Sequence, residues 1–230
     1  EGTSGINVLS PTWFSVADNS GNLNSLADAS YVQEAHGRGI QVWALIDDFD
    51  SNIDLVTLLS STAAREHMIS QLMTAVSQYQ LDGINVDFEN VKEDSAPHFL
   101  QFIRELSIAC RQAGKTLSID NYVPSGGRSW YNLKEQGQVA DYVVIMGYDE
   151  HYKGCCSGTN ASIGFSERGI ADTLKSVPAD KVVNGIPFFM RVWQETPEEN
   201  APADAELYDD GRSVYEGRYA RDSRAVGMNE

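Results

Sequence analysis

At 230 residues, 42% of them hydrophobic and 22% charged, the chain can bury a sizeable core and is expected to form one globular unit. A formal net charge of −16 argues against nucleic acid and anionic membrane as partners, since both call for a surplus of Lys and Arg. No apolar run reaches the length of a membrane span, and Glu1-Gly2-Thr3 does not begin a signal peptide.

Taken in chain order, apolar runs bounded by turn residues predict strands at Gly5–Pro11, Ile40–Asp48, Leu81–Glu89, Lys115–Val123, Asp141–Asp149 and Lys181–Phe188. Helical patterns lie between them, near Asp28–Gly37, Thr62–Gln80, Ser95–Ala113, Tyr131–Gly137 and Ser166–Val177. Ile69, Leu72, Met73 and Val76 form the apolar stripe of the second. In the third, Phe99, Phe102, Ile103, Leu106 and Cys110 recur at helical spacing, with Ser95 as expected N-cap and Gly114 just past the end. Strands alternating with helices imply parallel strands joined by right-handed crossovers. The long βα connections, notably Glu150–Phe165, and short αβ ones favour a (β/α)8 TIM-type barrel with its site at the strands' C-terminal ends. A doubly wound open sheet is the competing layout, but no Gly-rich phosphate loop follows the first strand. The expected division is a core of (β/α) units over 1–190 and a polar, irregular segment over 191–230, in which no strand is predicted.

The run Asp82-Gly83-Ile84-Asn85-Val86-Asp87-Phe88-Glu89 carries the chemistry. Side chains alternate across a strand, so Gly83, Asn85, Asp87 and Glu89 share one face and Ile84, Val86 and Phe88 the other. Burying carboxylates costs several kcal/mol or more without partners, so a merely structural strand would not stack them. Acid/base catalysis by Asp87 and Glu89 is the favoured reading, against a carboxylate metal site or a structural polar cluster. Asp82 has the opposite parity and reads as structural. Met146-Gly147-Tyr148-Asp149 ends another strand, where the Tyr148 hydroxyl is placed to donate to a ligand carbonyl. Trp13 and Phe14 either stack on sugar faces at the barrel mouth or pack. Asp47, Asp48 and Asp50 read as solvated loop carboxylates, and Asp120, Asn121 and Tyr122 as pocket-lining. Cys110 reads as a small core hydrophobe, while the adjacent Cys155 and Cys156 lack zinc spacing. No metal or cofactor is expected.

The Asp82–Glu89 run resembles the signature of the family 18 glycoside hydrolases, the chitinase-like family. Met146-Gly147-Tyr148-Asp149 is similar to that family's sixth-strand motif, and Gly185-Ile186-Pro187-Phe188-Phe189-Met190-Arg191 to its seventh strand. Asn85 departs from the commoner Asp. With Phe88 and Asn90-Val91 it is similar to a bacterial branch of spore-cortex-lytic N-acetylglucosaminidases that act on peptidoglycan, as is Ile6–Phe14 to that branch's second strand. The resemblance implies an incomplete barrel covering about strands two to seven. An unclosed sheet would leave edges that a second copy of the chain could cover.

What the resemblance implies chemically is a retaining glycosidase acting on β-linked N-acetylglucosamine polymers, peptidoglycan or chitin-like, by substrate assistance. Glu89 would be the general acid, Asp87 would orient the acetamido group and Tyr148 would hold its carbonyl. Asn85, Met146, Asp149, Asn121, Tyr122, Trp13, Phe14 and Arg191 would bind the polysaccharide or oligosaccharide. The implied setting is exported, at a cell wall or spore envelope. An inactive, chitinase-like carbohydrate-binding protein is the alternative, and the Glu at position 89 argues against it.

Overall fold

A curled parallel sheet organises the computed structural model, which describes residues 5–124, 128–152, 157–197 and 218–227. The first expected strand is displaced. It appears as two pieces, β1 (Val8–Leu9) and β2 (Thr12–Val16), both paired in parallel with β4 (Gln41–Asp47). Pro11 sits at the break because it has no N–H to donate, while its carbonyl still accepts from Leu45 N at 2.9 Å. A short β3 (Leu23–Ser25), absent from the sequence reading, folds back antiparallel on β2.

From β4 the sheet continues in parallel through β5 (Gly83–Asp87), β6 (Thr116–Tyr122), β7 (Tyr142–Met146) and β8 (Val182–Gly185). The order β3-β2-β4-β5-β6-β7-β8 is that of a partial TIM-type barrel. Trp43 of β4 and Tyr142 of β7 stack with ring centroids 5.2 Å apart, although two strands separate them in the sheet. Only a strongly curled sheet brings them face to face, and the two rings floor its interior.

The helices on the convex side are α1 (Ala29–Gly37), α2 (Leu55–Ser60), α3 (Thr62–Tyr79), α4 (Ala96–Gln112), α5 (Leu133–Val139) and α6 (Ile163–Thr173). Side-chain oxygens cap five of their N-termini: Asp28 for α1, Asp54 for α2, Ser61 for α3, Asn132 for α5 and Ser162 for α6. The Ser162 cap starts α6 three residues ahead of its expected Ser166. Ser95 does not cap α4 through its side chain. Its Oγ instead accepts from Lys92 N, at 2.9 Å, in the preceding turn. Gly114 does follow α4 at φ +64°, a conformation that favours glycine.

The apolar stripe of α4 packs on the outward face of β5. Phe88 stacks on Phe102 at 5.7 Å and lies 5.9 Å from Phe99, all three rings being buried. With Ile84 and Val86 in the same core, the parity of β5 is fixed, and Asn85 and Asp87 are driven to the concave side. Cys110 is buried in that core, its thiol pushed up to about 12 by burial and the Asp141 charge, so it packs as a hydrophobe. Cys155 and Cys156 lie outside the described residues.

Two expectations are corrected at the C-terminal side. The strand foreseen over Lys181–Phe188 stops at Gly185, two residues before Pro187. A separate antiparallel ribbon of β9 (Phe189–Pro197) and β10 (Arg218–Gly227) then occupies much of what was read as irregular. Among the described residues no helix is long and apolar enough to cross a membrane.

Candidate active site

The exit of β5 is clamped from three sides. Asp48, one residue past β4, is 1% exposed, and its carboxylate accepts from the backbone N–H of Glu89 (2.9 Å) and of Asn90 (3.0 Å). Tyr131 Oη donates to Phe88 O at 2.8 Å, and Trp130 Nε1 to Val91 O at 3.0 Å. Asp47 and Asp48 are thus not the solvated loop carboxylates expected. Both are buried, and burial raises the pKa of each, backbone hydrogen bonds partly opposing it. Asp82 does have the structural role its parity implied, accepting from Val42 N at 2.8 Å and lying 2.8 Å from His36 Nε2.

On the concave face, Asn85 is buried between β6 side chains. It donates to Asp120 Oδ2 at 2.8 Å and accepts from Ser118 Oγ at 2.6 Å. Asp87 follows, with its Oδ1 buried and without a hydrogen-bond partner among the described residues. Its carboxyl is pushed up to about 8, first by burial, then by the charges of Asp120, Glu89, Asp48 and Asp47. Asp120 rises to about 6 through burial, held back by the Asn85 hydrogen bond. Glu89 accepts a short hydrogen bond from Tyr122 Oη, and the Arg128 guanidinium lies 3.6 Å from the Tyr122 ring centroid.

Tyr148 is half-buried just past β7, edge-on to Phe189 at 5.7 Å. Its hydroxyl pKa is raised by burial first, then by Asp120, Asp87, Glu89 and Asp149. The acids of β5 and the tyrosine of β7 therefore feel one another across one concavity. Gly147 beside it permits the close approach of β8: an added Cβ would lie 2.4 Å from Asn184 Oδ1 and 2.8 Å from Gly185 O.

The remaining expected site residues divide. Met146 is buried at the end of β7. Asp149, at φ +56°, accepts from Arg191 Nε (3.0 Å), and Arg191 Nη2 lies 2.7 Å from the same oxygen, so the two charges satisfy each other. Asn160 ties the same corner, accepting from Asp149 N and donating to Phe189 O. Asn121 does not line the concavity. It is 1% exposed and exchanges two amide hydrogen bonds with Gln136 of α5, the outward parity of β6 having carried it away. Phe14 is a core residue at 3% exposure, and Trp13 packs edge-on against Tyr31 of α1 at 5.3 Å, so packing prevails for both. Asp48 escapes a reading that groups Asp47, Asp48 and Asp50 as solvated loop carboxylates. The alternation Val42, Ala44, Ile46, Asp48 was the available signal, since it runs on into a buried row.

Parallel strands with outer helices, and acids gathered where β4, β5 and β6 end, define an α/β-barrel of enzyme type. The chain belongs to family 18 of the glycosyl hydrolases, which matches residues 15–224. It is similar to the uncharacterized glycosylase YvbX of Bacillus subtilis, at 27% identity over 202 residues, covering 82% of this chain and 58% of that protein. The cortical fragment-lytic enzyme of the same organism is 26% identical over 140 residues, 56% of this chain and 31% of the relative. Among solved structures, a chitinase from Chromobacterium violaceum has a TM-score of 0.72 and 25% identity, over 82% of this chain and 62% of that one. The Bacillus cereus spore cortex-lytic enzyme SleL has a TM-score of 0.75 at 18% identity, over 97% and 49%. The chain spans about half the length of the curated relatives it matches.

Proposed function

We propose that this chain carries the catalytic centre of a retaining glycosidase that cleaves β-linked N-acetylglucosamine glycans, peptidoglycan or chitin-like, with the substrate's own acetamido group as nucleophile. The observation that carries the reading is the grouping of Asp87, Glu89 and Tyr148 at the ends of β5 and β7, close enough that, after burial and Asp120, the charges of both acids raise the Tyr148 hydroxyl pKa. Residues two apart on one strand are roughly 6–7 Å apart, within reach of a single sugar ring.

In this scheme Glu89 gives its proton to the glycosidic oxygen as the bond to the anomeric carbon breaks. The acetamido carbonyl oxygen bonds to that carbon and an oxazolinium ring forms. Asp87 accepts the acetamide N–H, and Tyr148 donates to the carbonyl oxygen and holds it in line. Water, losing a proton to Glu89, then attacks the anomeric carbon and reopens the ring with configuration retained. Positive charge forming beside Asp87 favours its ionised form, so the proton it holds at rest passes to solvent as the oxazolinium forms and the carboxylate left behind is the counter-ion. Residues 1–190 would hold this centre. The names of the cortex-lytic relatives support an exported role at a cell wall or spore envelope.

The test is product analysis by mass spectrometry after incubation with chitin oligosaccharides and with peptidoglycan glycan strands. Cleavage next to N-acetylglucosamine, with retained configuration by NMR, is expected. Equal rates on oligomers carrying a free amine at C2 would rule out assistance by the acetamide.

A further inference from the structure

Asp120 has no part in that scheme, yet among the charges acting on Asp87 it is the largest. It lies on the inward face of β6 and accepts from Asn85 of β5 at 2.8 Å. Because Ser118 Oγ occupies the amide oxygen of Asn85, the NH2 end faces Asp120. An amide N–H favours the ionised form of the carboxylate it meets. Asp87 receives no comparable help among the described residues, where its buried Oδ1 has no partner. Two carboxyls in one poorly hydrated site do not both ionise cheaply, so the one holding a donor takes the charge and the other keeps the proton.

We propose that Asn85 and Asp120 act as a positioning pair that places the negative charge on Asp120 and leaves the proton on Asp87 in the resting site. The inference rests on the reading of Asp87 as the acetamide's partner. The other groups acting on Asp87 are Asp47 at the end of β4, Asp48 one residue past it, Glu89 two residues past β5 and the Tyr148 hydroxyl past β7. The three carboxyl groups among them add repulsion that further disfavours a second charge at Asp87. Titration follows the same order, Asp120 near 6 and Asp87 near 8, so around neutral pH the two differ in charge. The amide at position 85 thus decides which of two half-buried acids is the neutral one.

The test is a carboxyl-carbon NMR titration of the chain labelled at Asp, with the Asp87 resonance assigned by its loss in Asp87→Asn. Asp120→Asn should lower the Asp87 midpoint by about one pH unit or more. Asn85→Leu, which removes the donor, should raise the Asp120 midpoint and lower that of Asp87. The exchange variant, Asn85→Asp with Asp120→Asn, rebuilds a carboxylate–amide pair and should return the Asp87 midpoint most of the way. An Asp87 midpoint that stays in place in folded Asp120→Asn overturns the proposal, as does an exchange variant that restores nothing. Should Asn85→Leu fail to fold, those two variants decide. A merely structural Asp120 would lower glycan cleavage without moving the midpoint. If the unaltered chain cleaves no N-acetylglucosamine glycan, the hydrolase reading falls while the titration still answers this question.

Discussion

Replacing Asp87 with asparagine isolates the cost of holding a carboxyl in this site. The folded protein keeps that group protonated up to about 8, whereas the unfolded chain releases the proton near its usual 3.8. Between those values the unfolded state binds fewer protons than the folded one, so the contribution of Asp87 to stability falls as pH rises across the window. At pH 7 the window has been crossed for about three units, each worth about 1.4 kcal/mol, a ceiling of about 4 kcal/mol. Relaxation of the site reduces that figure, so a gain of about 2–4 kcal/mol is expected for Asp87→Asn at pH 7. Urea denaturation of both proteins at pH 4, 7 and 8.5 provides the measurement. The difference should be near zero at pH 4, grow through neutrality and level off above about 8. A flat difference, or a variant less stable than its parent at pH 8.5, would refute a buried neutral acid. The same variant should lose glycan cleavage, so stability and activity move in opposite directions at one residue.

Glu89→Gln should reduce cleavage of N-acetylglucosamine oligomers by about 10²–10⁴-fold while oligosaccharide binding stays measurable by calorimetry; undiminished turnover would contradict its role as the acid. Asp48→Asn leaves one acceptor oxygen where two backbone N–H groups now bind, so the β5 exit should shift. A fall in kcat of about 10²-fold with little change in KM is expected, and unaltered kinetics would show the clamp to be dispensable. Phe88→Ala empties a buried position stacked on Phe102 and should cost about 3–5 kcal/mol in urea denaturation. A loss under about 1 kcal/mol would mean that α4 does not fix the parity of β5.

What the sequence made legible is what periodicity controls. The two-residue alternation of β5 and the helical stripe of α4 are both packing patterns: the stripe of α4 is buried, and β5 sends Ile84 and Val86 to the core while Asn85 bonds to β6 side chains on the other face. The misreadings arose where that alternation was not carried far enough. Asn121 was placed in the pocket though its neighbours Asp120 and Tyr122 already held the inward parity of β6. Asp48 was assigned to solvent though it continues a buried row. Other misses have local causes. Pro11 and Pro187 lie inside apolar runs and split or end them. Helix α2 has only six residues, and β3 only three, too few for a period to show. The β9–β10 ribbon pairs segments distant in the chain, and Met190 and Val192 of β9 are exposed, so no burial rhythm announced the pairing.

The clustering of acids gives the site its character more than any one of them does. Asp47, Asp48, Asp87, Glu89 and Asp120 come from three adjacent strand ends, and a protein with no use for that concentration of charge would disperse it. Their partners differ, Asp47 accepting from Phe49 N. Asp48 holds backbone N–H groups, Asp120 holds an amide, Glu89 holds a tyrosine hydroxyl, and the Oδ1 of Asp87 holds nothing. The charges of Asp120, Glu89, Asp48 and Asp47 all act on Asp87, the one whose buried Oδ1 has no donor among the described residues. A neutral carboxyl facing the concavity follows from that inequality, and an N–H donor that turns cationic during reaction is the kind of ligand it suits.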